Sequence, residues 1–169
     1  MQRPDISVLF VCMGNICRSP TAEGVFRKLH QELAPQLALH ADSAGTHDYH
    51  VGESPDRRAV LAAHERNIDI SAHRGRGVTC ADFEDFDYIV AMDRVNLQWL
   101  RKHQPPTSHA DVRLLLEYAE NCPLDEVPDP YYGDAQGFSR VLDLAEQGGT
   151  GLLRHICRIH GIVLKRPER

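Results

Sequence analysis

No stretch of this chain approaches the roughly 20 consecutive apolar residues needed to span a bilayer, so membrane insertion is not expected. Met1-Gln2-Arg3-Pro4-Asp5 runs straight into a strand-like segment without the charged and apolar regions of a signal peptide, which makes the cytoplasm the expected address. There is no C-x-x-C pair. The five cysteines, Cys12, Cys17, Cys80, Cys122 and Cys157, are odd in number and scattered. That pattern argues against a disulfide framework and for reactive or buried thiols. Positive charge is not in excess either: 19 Lys and Arg face 24 Asp and Glu, a net charge of −5. No nucleic-acid partner is expected, and an anionic substrate would have to be drawn by a local site. Internal repeats, low-complexity tracts and interdomain linkers are absent. The 169 residues, 42% hydrophobic and 25% charged, fit one soluble domain over 1–169, with a flexible basic tail at 164–169.

What is present alternates between two periodicities. Ser7-Val8-Leu9-Phe10-Val11-Cys12 is short, β-branched and bounded by Gly14, which predicts a fully buried parallel strand. After a compact loop, Ser19 as cap and Pro20 as first helical residue predict a helix start. Ala22, Val25, Phe26, Leu29 and Leu33 then form one apolar face. Leu37 to Ala41 reads as a second strand, followed by a turn-rich loop at Asp42-Ser43-Ala44-Gly45-Thr46. Helices are predicted over Asp56–Arg66 and Asp93–Lys102, and strands over Tyr88–Met92 and Val112–Leu116. A final helical pattern runs from Phe138 to Ile159, with a break possible at Gly148-Gly149, since each glycine costs up to about 1 kcal/mol against alanine. Strand and helix in alternation predict an α/β fold with a parallel sheet covered on both faces.

The chemistry concentrates at Cys12-x5-Arg18-Ser19, between a strand end and a helix start. A helix N-terminus presents unpaired N–H groups and partial positive charge, and a tight loop above it can turn further amides inward around one tetrahedral oxyanion. Gly14 and Asn15 are residue types that tolerate the left-handed backbone such a loop requires. A cysteine at the bottom of the ring sees the same field, which favours its thiolate, and the Ser19 hydroxyl can donate to the sulfur. Arg18 offers a planar fork for phosphate oxygens. Far away, Asp129-Pro130 places a carboxyl in a Pro-rich segment whose backbone is restricted on both sides.

Val11-Cys12-Met13-Gly14-Asn15-Ile16-Cys17-Arg18-Ser19-Pro20-Thr21-Ala22-Glu23 resembles the phosphate-binding signature of the low-molecular-weight protein tyrosine phosphatase family, and Asp129-Pro130-Tyr131-Tyr132 resembles its acid segment. The resemblance covers Ser7 to about Ile159. It implies a three-layer α/β sandwich with a four-stranded parallel sheet of order 2-1-3-4, and hydrolysis of aryl phosphate monoesters through a phosphocysteine. It makes Cys12 the nucleophile, Arg18 the transition-state clamp and Asp129 the general acid. Met13, Gly14, Asn15, Ile16 and Cys17 become the phosphate loop, and Tyr49, Tyr131 and Tyr132 the aromatic rim. By the same resemblance Ser43 anchors Asn15, His73 supports the loop with Glu23 as its partner, and Ser19 assists the sulfur. Asp93 matches the family's Met-Asp pair, although a helix N-cap is its expected main role. Cys17 could form a protective disulfide with Cys12. Cys80, Cys122 and Cys157 are expected to be packing residues.

Neither a metal nor another cofactor is implied, because loop and arginine supply the electrostatics. The expected partner is a phosphotyrosine-bearing protein, such as a tyrosine kinase, with the chain a monomer or weak homo-oligomer. Two rival activities share the fold. Thiol-coupled arsenate reductases need two further cysteines in a redox segment, whereas Cys80 stands alone. Phosphoarginine phosphatases are associated with Thr at the position of Ile16, and the branched apolar side chain favours an aryl phosphate instead. A non-catalytic phosphotyrosine-binding module would not need both a nucleophile and an acid.

Overall fold

The computed structural model describes residues 5–166. Four parallel strands, β1 (Ile6–Cys12), β2 (Leu39–Gly45), β3 (Tyr88–Ala91) and β4 (Asp111–Leu114), lie in the order β2-β1-β3-β4. The intervening helices are α1 (Arg18–Leu33), α2 (Arg57–His64), α3 (Asp82–Asp85) and α4 (Arg94–His103), and α5 (Ala135–Ile159) closes the chain. The expected three-layer α/β sandwich and its strand order are therefore what the chain adopts.

Burial explains the order. β1 is the most apolar strand and is paired on both edges, Val8 opposite Ala41 and Tyr88, Phe10 opposite Ser43 and Val90. Its side chains alternate between two cores, as the two-residue period of a strand requires. Val8 and Phe10 join Val25 and Phe26 of α1 and Leu142, Leu152 and Ile156 of α5. Leu9 and Val11 join Ile89, Phe83, Leu97 and Leu100 on the opposite face. An open parallel sheet places its functional crevice beyond the C-terminal strand ends. Here β1 ends at Cys12, paired with Gly45 at the end of β2.

Several boundaries differ from the sequence reading. α1 starts at Arg18, and its N-cap residue Cys17 makes no side-chain cap bond. Ser19 is not a cap because its hydroxyl is bonded to Cys12 and Asn15. Asp42 to Gly45 are not a loop but the second half of β2, paired with Leu9 to Cys12. Turn-forming residue types were overruled there by a full parallel ladder. The fourth strand stops at Leu114 and a 3-10 turn takes Leu115–Glu117. α3, a single turn, had no periodicity to announce it.

α5 is unbroken over its 25 residues. Gly148 and Gly151 are inside it for packing: a Cβ at Gly148 would come within 2.6 Å of Leu115 Cγ, and one at Gly151 within 1.8 Å of the Tyr118 carbonyl oxygen. The glycines let the helix lie directly on the 3-10 turn, and that contact outweighs their low helix propensity. Beyond α5, Lys165 N–H donates to Leu33 O at 2.7 Å, and Ile162 and Leu164 pack on the core. The first residues of the expected tail are thus tied to the C-terminal end of α1, and 167–169 lie outside the described residues. No described helix is long and apolar enough to cross a membrane.

Candidate active site

The loop from Cys12 to Arg18 begins where β1 ends and closes on the first turn of α1. Among the described residues, the N–H groups of Met13, Gly14, Ile16 and Cys17 donate to no protein acceptor. A run of unpartnered amides at a helix N-terminus is a ready anion site. Asn15 departs from this run: its N–H donates to Cys12 Sγ at 3.3 Å.

Asn15 is also where the backbone reverses, at φ 58°, and it is fully buried. Its side chain is bonded on every side. Nδ2 donates to Ser19 Oγ at 2.8 Å and to Ser43 Oγ at 3.1 Å, and Oδ1 accepts from Arg76 N–H at 3.0 Å. His73 Nε2 lies 3.2 Å from both Asn15 O and Asn15 Oδ1. Two acceptors facing one ring nitrogen require that nitrogen to carry the proton. Left-handed geometry at an asparagine costs about 1 kcal/mol or more and persists only when neighbours over-determine it, as these do. Gly14, by contrast, does not adopt positive φ. Its value is space, since a Cβ there would sit 3.1 Å from His50 Cδ2.

Cys12 Sγ lies 3.0 Å from Ser19 Oγ. Because Ser19 Oγ already accepts from Asn15, its own proton is free to point at the sulfur. Arg18 is 3% exposed, and its Nη1 donates to Asp93 Oδ2 at 2.6 Å and to Val127 O at 3.0 Å. Burial works against its charge, but Cys12, Asp93 and Asp129 outweigh that and hold its pKa above the ordinary value. Asp93 therefore does two things at once: Oδ1 caps α4 by accepting from Asn96 N–H at 2.9 Å, while Oδ2 holds the guanidinium.

Asp129 Oδ2 approaches Arg18 Nη2 at 3.8 Å, and Oδ1 accepts from Tyr131 N–H at 3.0 Å. Its side chain is 37% exposed at the mouth of a cleft of about 270 Å³. Cys12, Met13, Ile16, Arg18, Tyr49, His50, Tyr131 and Tyr132 line the same cleft. Tyr49 stacks on His47, and Tyr131 and Tyr132 meet edge to face, all with exposed rings available to a flat ligand. Arg58, half exposed, lies over the Tyr131 ring and donates to its carbonyl oxygen at 2.9 Å.

Behind the loop, Ser43 Oγ donates to Glu23 Oε1 at 2.9 Å, and Arg27 pairs with Glu23 Oε2 at 3.1 Å. Burial pushes the Glu23 carboxyl above its usual range, against the opposing pull of Arg27 and Ser43. His73 Nδ1 stands 4.0 Å from Glu23, so the expected pairing is loose and serine is the nearer partner. Both loop thiols are free, and burial, then Asp56, pushes the Cys17 thiol up to about 12. Of the other cysteines, Cys157 is buried and Cys122 half-buried, but Cys80 is exposed and does not pack. Arg76 and the Val127 carbonyl were missed by sequence reasoning. Both act through backbone atoms, which residue type does not encode. Among the described residues no group of three or more His, Cys, Asp or Glu is placed to hold a metal ion.

The chain matches the family model described as low molecular weight phosphotyrosine protein phosphatase over residues 7–160. It is 40% identical over 151 residues to the low molecular weight protein-tyrosine-phosphatase YfkJ of Bacillus subtilis, covering 89% of this chain and 96% of that one. A human low molecular weight phosphotyrosine protein phosphatase is 43% identical over 137 residues, covering 80% and 85%. Among solved structures, a protein tyrosine phosphatase from Entamoeba histolytica superposes with a TM-score of 0.85 at 37% identity, over 93% of this chain and 99% of that one.

Proposed function

The chain belongs to the low molecular weight phosphotyrosine protein phosphatase family, and from that premise we propose a residue-by-residue mechanism for hydrolysis of phosphotyrosine by this protein. The substrate phosphate enters the ring of unpartnered amides, and its phenyl ring lies among Tyr49, Tyr131 and Tyr132. Cys12 thiolate attacks phosphorus in line. The bond from phosphorus to the phenolic oxygen breaks as the new bond from sulfur forms, and Asp129 gives its proton to the leaving oxygen. Asp129, now a carboxylate, takes a proton from water as that water attacks the phosphocysteine, releasing inorganic phosphate and the thiolate. Arg18 and the loop amides carry the charge on the three equatorial oxygens in both steps. Asn15, Ser43, His73 and Glu23 keep the loop in the shape this needs, and Ser19 supports the thiolate as it leaves.

The observation carrying this reading is the coincidence of four features at one cleft: unpartnered amides, a sulfur with Ser19 and Asn15 directed at it, a buried guanidinium, and an exposed carboxyl at the mouth. Ile16, apolar and lining the cleft, suits an aromatic substrate. Its substrates are phosphoproteins; we further propose a tyrosine kinase as one, and a reducing compartment such as the cytoplasm, since a free nucleophilic thiol must be kept reduced. The test is a pair of variants. Cys12→Ser should retain binding of inorganic phosphate but lose turnover of aryl phosphates, and Asp129→Ala should retain phosphoproteins long enough to identify them. Substantial turnover by Cys12→Ser would refute the nucleophile.

A further inference from the structure

Asp129 sits in a long irregular stretch. No helix or strand covers 118–134, from the end of the 3-10 turn to the start of α5. A proton donor in such a stretch needs fixing, because a displacement of about 1 Å at a reacting group can cost about a hundredfold in rate. One anchor is Val127, whose N–H donates to Met92 O at 2.8 Å and whose carbonyl accepts from Arg18. Bonds at one residue fix its position but leave the chain on either side free to swing.

The second anchor is Arg94, the first residue of α4. Its backbone N–H donates to Glu126 Oε2 at 2.9 Å, its Nη1 donates to Glu126 Oε1 at 3.2 Å, and its Nη2 pairs with Asp125. Both oxygens of one carboxylate and a second carboxylate are thus gripped by a single residue. The grip lies at a helix N-terminus, where the peptide dipoles favour negative charge. Arg94 also follows Asp93 directly, and Asp93 holds Arg18. Adjacent residues at the start of one helix, its N-cap and its first residue, therefore hold the guanidinium that meets the phosphate and the segment that carries the acid.

We propose that Arg94 is a positioning residue for proton transfer: by clamping Asp125 and Glu126 to the start of α4 it sets where Asp129 stands relative to Arg18. The proposal rests on the reading of Asp129 as general acid. Arg94 touches neither the cleft nor any group in it, so it acts only through the loop. The Asp125 carboxyl is held below the usual carboxylate range, first by its bond to Arg94, so the clamp is charged throughout neutral pH. Arg58 holds the far side of the segment at the Tyr131 carbonyl. The loop consequently remains attached at two points when Arg94 is removed, and the fold does not depend on this exposed side chain.

The experiment compares kcat/KM for phenyl phosphate, whose leaving group needs a proton, with that for 2,4-dinitrophenyl phosphate, whose leaving group does not. Arg94→Ala should lower the first by about threefold to tenfold, as expected for an exposed ion-pair cluster acting through geometry, and change the second by less than about twofold. Inhibition by inorganic phosphate should be unchanged, and Arg94→Lys, which keeps charge but not the fork, should recover part of the loss. In an Asp129→Ala background the Arg94 substitution should do nothing further. Equal loss on both substrates with weakened phosphate inhibition would overturn the proposal, because Arg94 would then act through Arg18. No loss on either would overturn it as well. A steep leaving-group dependence in Asp129→Ala beside a flat one in Arg94→Ala sinks the clamp alone. A flat one in Asp129→Ala sinks the acid reading and the clamp with it.

Discussion

The double duty of Asp93 can be separated by substitution. Oδ1 caps α4 and Oδ2 binds Arg18, whose side chain is 4% exposed against 21% for Asp93. Serine is as good an N-cap as aspartate but is too short and uncharged to replace the contact to the guanidinium. Asp93→Ser therefore isolates the ion pair, and Asp93→Ala removes pair and cap together. Losing a hydrogen bond to a charged group costs about 1.5–3 kcal/mol, and stranding one member of a fully buried pair costs about 3–5 kcal/mol. With Asp93 partly solvated and Val127 O still bonded to Arg18, about 2 kcal/mol is the reasonable figure for serine. Alanine adds about 1 kcal/mol for the cap. At roughly 2–4 °C per kcal/mol for a chain of this size, Tm should fall by about 4–8 °C and 6–12 °C respectively, read by thermal unfolding. Turnover should suffer in both variants alike, by about tenfold to a hundredfold in kcat/KM, because a guanidinium free to pivot no longer meets the phosphate in one geometry. Should Asp93→Ser unfold at the wild-type temperature with undiminished kcat/KM, then Asp93 is a cap alone and the reasoning about Arg18 is wrong.

Three other outcomes follow from single contacts. Gly151→Ala puts a methyl group 1.8 Å from the Tyr118 carbonyl oxygen, and should cost about 3 kcal/mol or more in urea unfolding; a neutral result would mean that α5 and the 3-10 turn separate easily. Asp56 is held below its usual pKa, first by Arg58, so its contribution is present above the ordinary value near 3.8 and lost as pH falls through the depressed one. Asp56→Asn keeps the cap on α2, so it should be less stable than wild type at neutral pH, and the two stability curves should converge in acid; curves that stay parallel would exclude the ion pair as the cause. Cys17, pushed up to about 12, should resist iodoacetamide at pH 8 while exposed Cys80 is alkylated, and equal rates by peptide mass mapping would contradict its burial.

Much of this molecule was legible without coordinates. β1 could be found because its residues are apolar on both faces, and only a strand buried on both sides tolerates that. The Cys12 loop could be found because a nucleophile, a left-handed residue, an arginine and a helix start fall within one short segment. Contacts spanning long sequence separations were harder. Ser43 lies within hydrogen-bond reach of Asn15, but its sequence reads as a loop, because Asp-Ser-Ala-Gly has turn-forming composition and only pairing with Leu9–Cys12 makes it a strand. The glycines of α5 suggested a break until the neighbouring turn showed what they make room for.

The sequence by itself determined the α/β architecture and the chemistry of the phosphate loop, because periodicity and short-range spacing are properties of consecutive residues. Tertiary structure alone decided that Asp93 holds Arg18, that Arg76 satisfies Asn15 through a backbone amide, and that Arg94 grips the segment bearing Asp129. Those relations join residues some 30 to 75 positions apart. Their energies depend on distance and burial, which no local pattern of residue types encodes.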